Sequence, residues 1–570
     1  MVTYHTDGTA APRIARRATT QWLTDTARRH GKTIGQLAYI YASPARMLEV
    51  NRQYLGHDFD TDVITFDYTE GDRLGGDIYI CPATVADNAR RFATTFDDEL
   101  RRVTVHGLLH LCGLADKTAA ERARMRQAED EALARWDTRQ ETTDVLLIGS
   151  GAREHAIAWK LAQSPLLGHL YTAPGNPGTA QLGTNVDIAA TDFPAIIDFI
   201  AKEHIGLVVC GPEQPLADGL ADAVAADPRT AAVAFIGPTR EGAQLEASKA
   251  FAKDFMQRHG IPTARHRTFR TGQADQASQY LATLQPPYVL KADGLCQGKG
   301  VVIAQTLGEA REALPSLLQR AGTVLIEDYT SGPELSAFAL LDGRGHYVLL
   351  PEAKDYKRIG NGDQGPNTGG MGSISPVPWA TKEFMHKVEE HIVKPTVNGL
   401  LKDGVTYTGF IFFGLACQPS EEGAQPSVIE YNARLGDPET ETILQRLDED
   451  LMALLLDAAS GNLRTHTART TPSAAACVML VSGGYPGPYE SGRTISGITG
   501  LLKASPDAII FHAGTALGRA GRLITAGGRV IAVSRRAKTA AAAAAAATAD
   551  AAHIKFKGKF NRTDIGKDAL

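Results

Sequence analysis

Residues 428–441 read Val-Ile-Glu-Tyr-Asn-Ala-Arg-Leu-Gly-Asp-Pro-Glu-Thr-Glu. The apolar pair Val428-Ile429 opens a strand that delivers a carboxylate at Glu430 and, two residues on and therefore on the same face, an amide oxygen at Asn432. Both are hard oxygen donors. Mg2+ prefers one or two carboxyl groups plus substrate phosphates to an all-protein cage, so a Glu-x-Asn pair at a strand end suits a nucleotide-bound magnesium. Arg434, one alternation further along, offers a guanidinium to a transferring phosphoryl or acyl-phosphate group. An ordinary strand-to-turn segment explains Gly436-Asp-Pro438 but not the Glu-x-Asn-x-Arg spacing.

A second set of polar residues lies between Leu245 and Glu334. Glu246-Ala-Ser-Lys249 puts a lysine on a helix, and Tyr288-Val-Leu-Lys291 puts another on an apolar strand. There an ammonium is costly unless a negative group such as a nucleotide phosphate meets it. Next comes Asp293-Gly-Leu-Cys-Gln-Gly-Lys-Gly300, whose glycines, Gly298 and Gly300 among them, let the backbone close over phosphates. It is not a Walker loop. Further on stand Ala353-Lys-Asp355-Tyr-Lys357-Arg358 and Asn367-Thr-Gly-Gly-Met-Gly372, the latter so bare of side chains that a ligand can approach its backbone. Gly149-Ser-Gly151-Ala-Arg153-Glu-His155 follows a strand and opens a helix, an arrangement that favours an anion. Glu154 stands where a dinucleotide fingerprint needs its third small residue, so the Rossmann reading fails.

Arg434–Glu441 resembles the signature of the glycinamide ribonucleotide synthetase (phosphoribosylamine–glycine ligase) family, and the lysines, Gly-rich loop, Val324-Leu-Ile-Glu327-Asp-Tyr329 and Gly332-Pro-Glu334 resemble the ATP-grasp fold. Ala173–Asn176, Gly211–Leu216, Ser482–Gly487 and Phe560–Gly566 are similar to the same family, so the resemblance covers nearly all of 144–570. It implies a biotin-carboxylase-like α/β domain at 144–245, an ATP-grasp domain at 246–465 and a small β-rich domain at 470–570. It also implies that Lys249, Lys291, Gly298, Gly300, Glu327, Tyr329 and Glu334 bind ATP, with Glu327 at the adenine pocket and Glu334 at the ribose. Gly151, Arg153, Thr368, Gly369, Gly370 and Met371 are implied to bind substrate. Arg434, Asp355 and Lys357 are implied to serve the chemistry, and Glu430 and Asn432 to hold Mg2+ or Mn2+. The implied reaction phosphorylates glycine with ATP and passes the glycyl group to the amine of 5-phosphoribosylamine, in de novo purine biosynthesis. The family's usual Ala-Gln-Asp-His-Lys-Arg run appears here with Lys354 and Tyr356 at its second and fourth positions.

Upstream of about residue 140 the pattern changes. Asp97–Gly113 reads as a helix opened by acidic residues and closed by glycine, with His106 and His110 one turn apart on one face, the usual way a helix presents two imidazoles to zinc. Gly107 occupies the position where a His-Glu-x-x-His protease carries its general base, which disfavours proteolysis. His-Gly-x-x-His-Leu-x-Gly resembles the YbeY family of single-strand-specific endoribonucleases in ribosomal RNA maturation. Asp62–Phe66, Gly76-Asp-Ile78 and Glu129-Asp-Glu131 support the likeness. It implies an α+β metal-hydrolase-like domain at 1–140 with Zn2+ on His106, His110 and Asp116. Asp116 stands where the family has a third histidine, and Leu55, with His57 nearby, where it tends to have arginine.

At 570 residues the chain is too long for one core, and 43% apolar with 22% charged residues is a globular composition. No apolar run is long enough to span a bilayer, and the N-terminus lacks the basic start and apolar core of a signal peptide. Six scattered cysteines without a Cys-x-x-Cys pair are expected as thiols in a reducing cytoplasm. Residues 1–143 hold 19 Lys/Arg against 21 Asp/Glu, so RNA contact would need a local stripe such as Arg90-Arg91 with Arg101-Arg102 and Arg122, Arg124 and Arg126. The Ala540–Ala552 tract is expected to be a helix, since alanine is the best helix former. Two alternatives stand beside the two-enzyme reading: a ribosome-assembly binding module with a structural metal at the N-terminus, or another ATP-grasp ligase at the C-terminus.

Overall fold

Tyr39, Tyr41, Ile78 and Ile80 alternate inward from two adjacent strands and set the core of the N-terminal unit. The computed structural model describes residues 2–568 except 10–11, 13–15, 57, 60, 93, 137–141, 296–299 and 419–422. It divides into two units, 1–142 and 143–570.

In the first unit Val2–Asp7, Thr33–Ala42 and Arg73–Ile80 run parallel, and Val63–Asp67 closes the edge antiparallel. Helix Phe96–Leu111 starts at Thr95, whose hydroxyl accepts the Asp98 N–H, and carries Asp97, Asp98 and Glu99 in its first turn, where the helix dipole favours them. Past its C-cap Cys112, Gly113 adopts φ +93°, the left-handed turn expected of a closing glycine. A second helix runs from Ala119 to Leu133, opened by a Thr118–Glu121 capping box. Trp22 Nε1 donates to Ala132 O (2.9 Å) and so ties helix Arg16–Arg29 to helix Ala119–Leu133.

The second unit begins with a parallel sheet in the order Thr184–Asn185, Leu167–Pro174, Thr143–Gly149, Leu207–Cys210, Ala234–Ile236. The order reverses at the central strand Thr143–Gly149, so the Gly149–His155 turn lies at the switch point where such sheets open a crevice. Next comes a small antiparallel sheet of His266–Arg270, Thr323–Asp328, Tyr288–Ala292 and Val301–Ala304, backed by helices Ala274–Leu281 and Leu307–Ala321. The large sheet joins Gln425–Asn432, Thr408–Gln418, Glu334–Asp342 and Tyr347–Asp355 to Gly372–Ser375, and through it to Ala474–Val481, Arg529–Ala537 and Ile509–His512. Gly372–Ser375 pairs antiparallel with strands on both sides, so the C-terminal strands continue the ATP-grasp sheet. The alanine tract forms helix Ala540–Ala551, and Ala540, Ala543, Ala544, Ala547 and Ala551 pack into that end of the core. Among the described residues, no helix is long and apolar enough to cross a membrane.

Candidate active sites

Glu430 and Asn432 lie on strand Gln425–Asn432, opposite Gly414 and Phe412 of the neighbouring strand. Burial would raise the Glu430 carboxyl, but the positive fields of Lys357, Lys291, Arg434 and Lys249 outweigh it and hold Glu430 below the ordinary carboxylate range. An ionised carboxylate two residues from an amide is a donor set that fits a hard divalent cation. All four cations act on this one carboxylate. Lys249 is the first residue of helix Lys249–Arg258, and its Nζ donates to Gly294 O (2.9 Å) at the Gly-rich loop. Gly300 O accepts from Ala292 N (2.7 Å), while Gly298 and Cys296 lie outside the described residues.

Lys291 is buried on its strand as expected, but its first partner is a protein group. Glu327 pairs with it across adjacent antiparallel strands, and Lys253 Nζ lies 2.7 Å from the other Glu327 oxygen. Glu327 is therefore a buried carboxylate between two ammoniums, not an open lining group. Lys253, one turn after Lys249 on the same helix face, is the partner the sequence reading missed; the i, i+4 spacing was its signal. Lys253 Nζ also donates to Thr263 Oγ1 (2.6 Å), which donates to Val428 O (2.7 Å) on the strand of Glu430. Tyr329 follows its strand 48% exposed, and exposed Glu334 pairs with Lys357 (2.9 Å).

Arg434 departs from expectation. The strand ends at Asn432, so the alternation stops before Arg434, and its guanidinium turns to Glu246 (3.0 Å) and Glu213 (3.4 Å). Glu246 also accepts the Ala433 N–H (2.7 Å). Two carboxylates already bracket this charge, which makes Arg434 a strut at the crevice. Arg153 repeats the pattern, pairing with Glu154 (2.7 Å) and donating to Leu435 O (3.2 Å). A Cβ at Gly149, Gly151 or Gly211 would stand 2.6, 2.8 or 2.1 Å from the buried Glu154 carboxyl group, so these glycines make room for that side chain.

The Asn367–Gly372 loop closes against Arg529, which donates to Gly369 O (2.6 Å) and Asp437 O (2.8 Å), while Tyr485 OH accepts the Gly369 N–H (3.0 Å). Thr368 is pinned through both its N–H and its hydroxyl to Lys357 O (2.8 Å each). Gly370 has φ +112°, and a Cβ there would lie 2.3 Å from Pro438 Cδ. Met371 corrects the substrate-binding expectation: its side chain is in the core and its N–H and carbonyl both bond to neighbouring backbone. Asp355 Oδ1 is buried without a hydrogen-bond partner beside this loop, and burial together with the Glu439 carboxylate raises the Asp355 carboxyl well above its ordinary range. Lys357 is held protonated, because Glu334, Glu430 and Asp355 outweigh the effect of burial. The departures Lys354 and Tyr356 both pair with Asp568 near the C-terminus.

In the N-terminal unit His106 Nε2 and His110 Nε2 face each other at 2.9 Å, each 3.8 Å from Asp116 Oδ2. His110 Nδ1 is 2.9 Å from Leu114 O, and a carbonyl only accepts, so that nitrogen carries the proton. His106 Nδ1 is 2.8 Å from Glu129 Oε1. Burial would raise Glu129, but hydrogen bonds from His106 and Arg102 keep it low and ionised, an acceptor as well. Both Nε2 lone pairs therefore converge beside a carboxylate, and only a proton or a cation relieves their repulsion. The donor set fits a divalent metal with an open fourth position. Gly107 sits against the sheet, where a Cβ would meet Ile78 Cγ2 at 2.7 Å, so no side-chain base fits there. The expected arginine stripe is largely engaged elsewhere. Arg90 pairs with Asp87, Arg101 with Asp98 (3.0 Å), Arg102 with Glu129 (2.9 Å) and Asp130 (2.8 Å), and Arg122 with Lys117 O (2.7 Å). The Leu55 side chain and His57 lie outside the described residues.

Two antiparallel sheets that bring buried lysines to a carboxylate-bearing strand, behind a parallel α/β domain, define an ATP-grasp enzyme. Residues 143–246, 247–440 and 475–568 match the N, ATP-grasp (A) and C domains of phosphoribosylglycinamide synthetase, and 5–137 match endoribonuclease YbeY. The phosphoribosylamine–glycine ligase of Chlorobaculum tepidum is 45% identical over 437 residues, 75% of this chain and 100% of its own. That of Salmonella typhi is 43% identical over 434 residues, 75% and 98%. The crystal structure of the Thermotoga maritima phosphoribosylamine–glycine ligase superposes with TM-score 0.63 at 34% identity, covering 74% of this chain and all of that one. A biotin carboxylase domain from Hydrogenobacter thermophilus shares the fold at 18% identity, with TM-score 0.57 over 74% of this chain and 91% of its own. The chain belongs to the phosphoribosylglycinamide synthetase family and carries a YbeY-family domain at its N-terminus.

Proposed function

We propose that residues 144–570, as domains 144–245, 246–465 and 470–570, ligate glycine to 5-phosphoribosylamine in the cytoplasm, and that residues 1–140 form a zinc-dependent single-strand endoribonuclease acting in ribosomal RNA maturation. The observation that carries the ligase reading is the ionised Glu430 beside Asn432 amid Lys249, Lys291 and Lys357. A glycine carboxylate oxygen attacks the γ-phosphorus of ATP and ADP leaves. The amine of phosphoribosylamine then attacks the glycyl phosphate carbonyl, phosphate departs, and the amine loses a proton. Mg2+ or Mn2+ held by Glu430 and Asn432 supplies neutralisation of phosphoryl charge when bound. Lys249 and Lys291 meet the phosphates, and Lys357 orients Glu334 toward the ribose side. Asp355, whose buried Oδ1 has no hydrogen-bond partner, takes the amine proton in its ionised form. Gly151, Arg153, Thr368, Gly369 and Gly370 shape the acceptor pocket, and no protein nucleophile is required.

For the N-terminal domain the converging Nε2 atoms carry the reading. Zn2+ on His106, His110 and Asp116 supplies an activated water when bound. ADP release that depends on both glycine and phosphoribosylamine tests the ligase; faster turnover of another carboxylate–amine pair would assign a different ATP-grasp ligase. Cleavage of single-stranded RNA that chelation abolishes and zinc restores tests the nuclease; metal binding without cleavage would leave a ribosome-assembly module.

A further inference from the structure

The two imidazoles of the N-terminal centre are oriented by different means. His110 is held by a backbone carbonyl, Leu114 O, at 2.9 Å. His106 is held by a side chain from another helix, Glu129 of Ala119–Leu133, whose Oε1 lies 2.8 Å from its Nδ1. Glu129 does not belong to the ligand cluster, and its side chain is only 7% exposed. Its other oxygen accepts from Arg102 Nη1 (2.9 Å), one turn before His106 on the same helix, and Arg102 also reaches Asp130 (2.8 Å). Glu129 thus bridges two consecutive turns of the histidine helix. Its own helix is pinned by Met125 and Ala132 in the core.

We propose that Glu129 is the positioning residue of this metal centre: it acts through His106 Nδ1 to make Nε2 the ligating atom and to fix the ring's angle toward His110 and Asp116. The proposal rests on the metal-site reading above. A ring without this partner is free to flip and present Nδ1, and its Nε2 is a weaker donor, because a carboxylate on the far nitrogen raises ligand basicity. Arg102 keeps the Glu129 carboxylate in line. The pair explains why this buried acid and this arginine are matched without either reaching the ligand positions.

The test uses the full chain. Zinc affinity is measured by competition with a chromophoric chelator for the wild type, Glu129→Gln and Glu129→Ala, and thermal unfolding is recorded for each after EDTA. Glu129→Ala should weaken zinc roughly 10–100-fold. Glu129→Gln, which keeps the shape and one acceptor but loses the charge, should fall between it and wild type. The visible absorption of the Co2+-loaded protein should change in both variants, which a purely structural helix bridge would not cause. Unchanged affinity and spectrum, even with lowered apo stability, would overturn the proposal and make Glu129 a structural bridge. If Glu129→Ala does not fold, Glu129→Gln alone decides. A wild type that binds no zinc would instead refute the metal-site reading and the proposal with it.

Discussion

Lys253 Nζ lies 2.7 Å from one oxygen of Glu327 in the interior, and Lys291 meets the other oxygen. The set carries one excess positive charge in a place where an unpaired ion costs several kcal/mol. Ionised Glu430 lies in the field of Lys291 and answers part of this surplus; under the function proposed above, a nucleotide phosphate would answer the rest.

Glu327→Gln leaves two buried ammoniums facing each other, whereas Lys253→Met leaves a neutral Glu327–Lys291 pair. The first should destabilise the chain by about 3–5 kcal/mol and the second by less. Lys253→Met should also raise the KM for ATP, because it removes the excess charge and the Thr263 link to the strand of Glu430. Urea unfolding and ATP titration measure both; the reverse order of stability would discredit this account of the triad.

Glu430→Gln keeps the shape and removes the anionic ligand. Its kcat should fall by about 100-fold, corresponding to ~3 kcal/mol of transition-state stabilisation, with a weaker dependence on Mg2+ concentration and the fold retained. Near wild-type turnover would remove Glu430 from the metal site.

His155 and His512 meet where the Gly149–His155 turn touches the strand Ile509–His512, with the His512 N–H donating to His155 Nδ1 (2.8 Å). Burial lowers His155 to about 3 and His512 to about 4, from 6.5. Because the folded values lie below the unfolded one, the unfolded chain binds protons first as pH falls. Stability is therefore full above about pH 6.5 and declines toward pH 4, by roughly 1 kcal/mol per pH unit for each histidine. Denaturant unfolding between about pH 5 and pH 6.5 should have a shallower pH slope in His155→Asn than in wild type. Equal slopes would mean that the ring is not held neutral.

Gly107→Ala puts a methyl 2.7 Å from Ile78 Cγ2. Overpacking of this kind costs typically 1–3 kcal/mol, so the N-terminal unit should melt earlier while ligase turnover persists. A variant that melts with the wild type would show that the helix can lift from the sheet, reopening room for a base beside His106.

Local periodicity by itself determined much of this protein. Glu430 and Asn432 share a face because strands repeat every two residues. His106 and His110 share one because helices repeat every 3.6. The left-handed Gly113 and the alanine helix were legible for the same short-range reasons. Charge partnership was not. The sequence presents Arg434 as an open cation, and only the fold brings Glu213 and Glu246 to it from another part of the chain. Arg529 meets the Asn367–Gly372 loop without any sequence signal, because its strand adds to a sheet that continues from the ATP-grasp region. Glu154 breaks the dinucleotide fingerprint, yet it is the carboxylate around which three glycines close. Backbone geometry and steric preference act over a few residues, so the sequence carries them openly. Which ions meet depends on which strands become neighbours, and burial then decides whether a charge is balanced by the protein or left for a ligand.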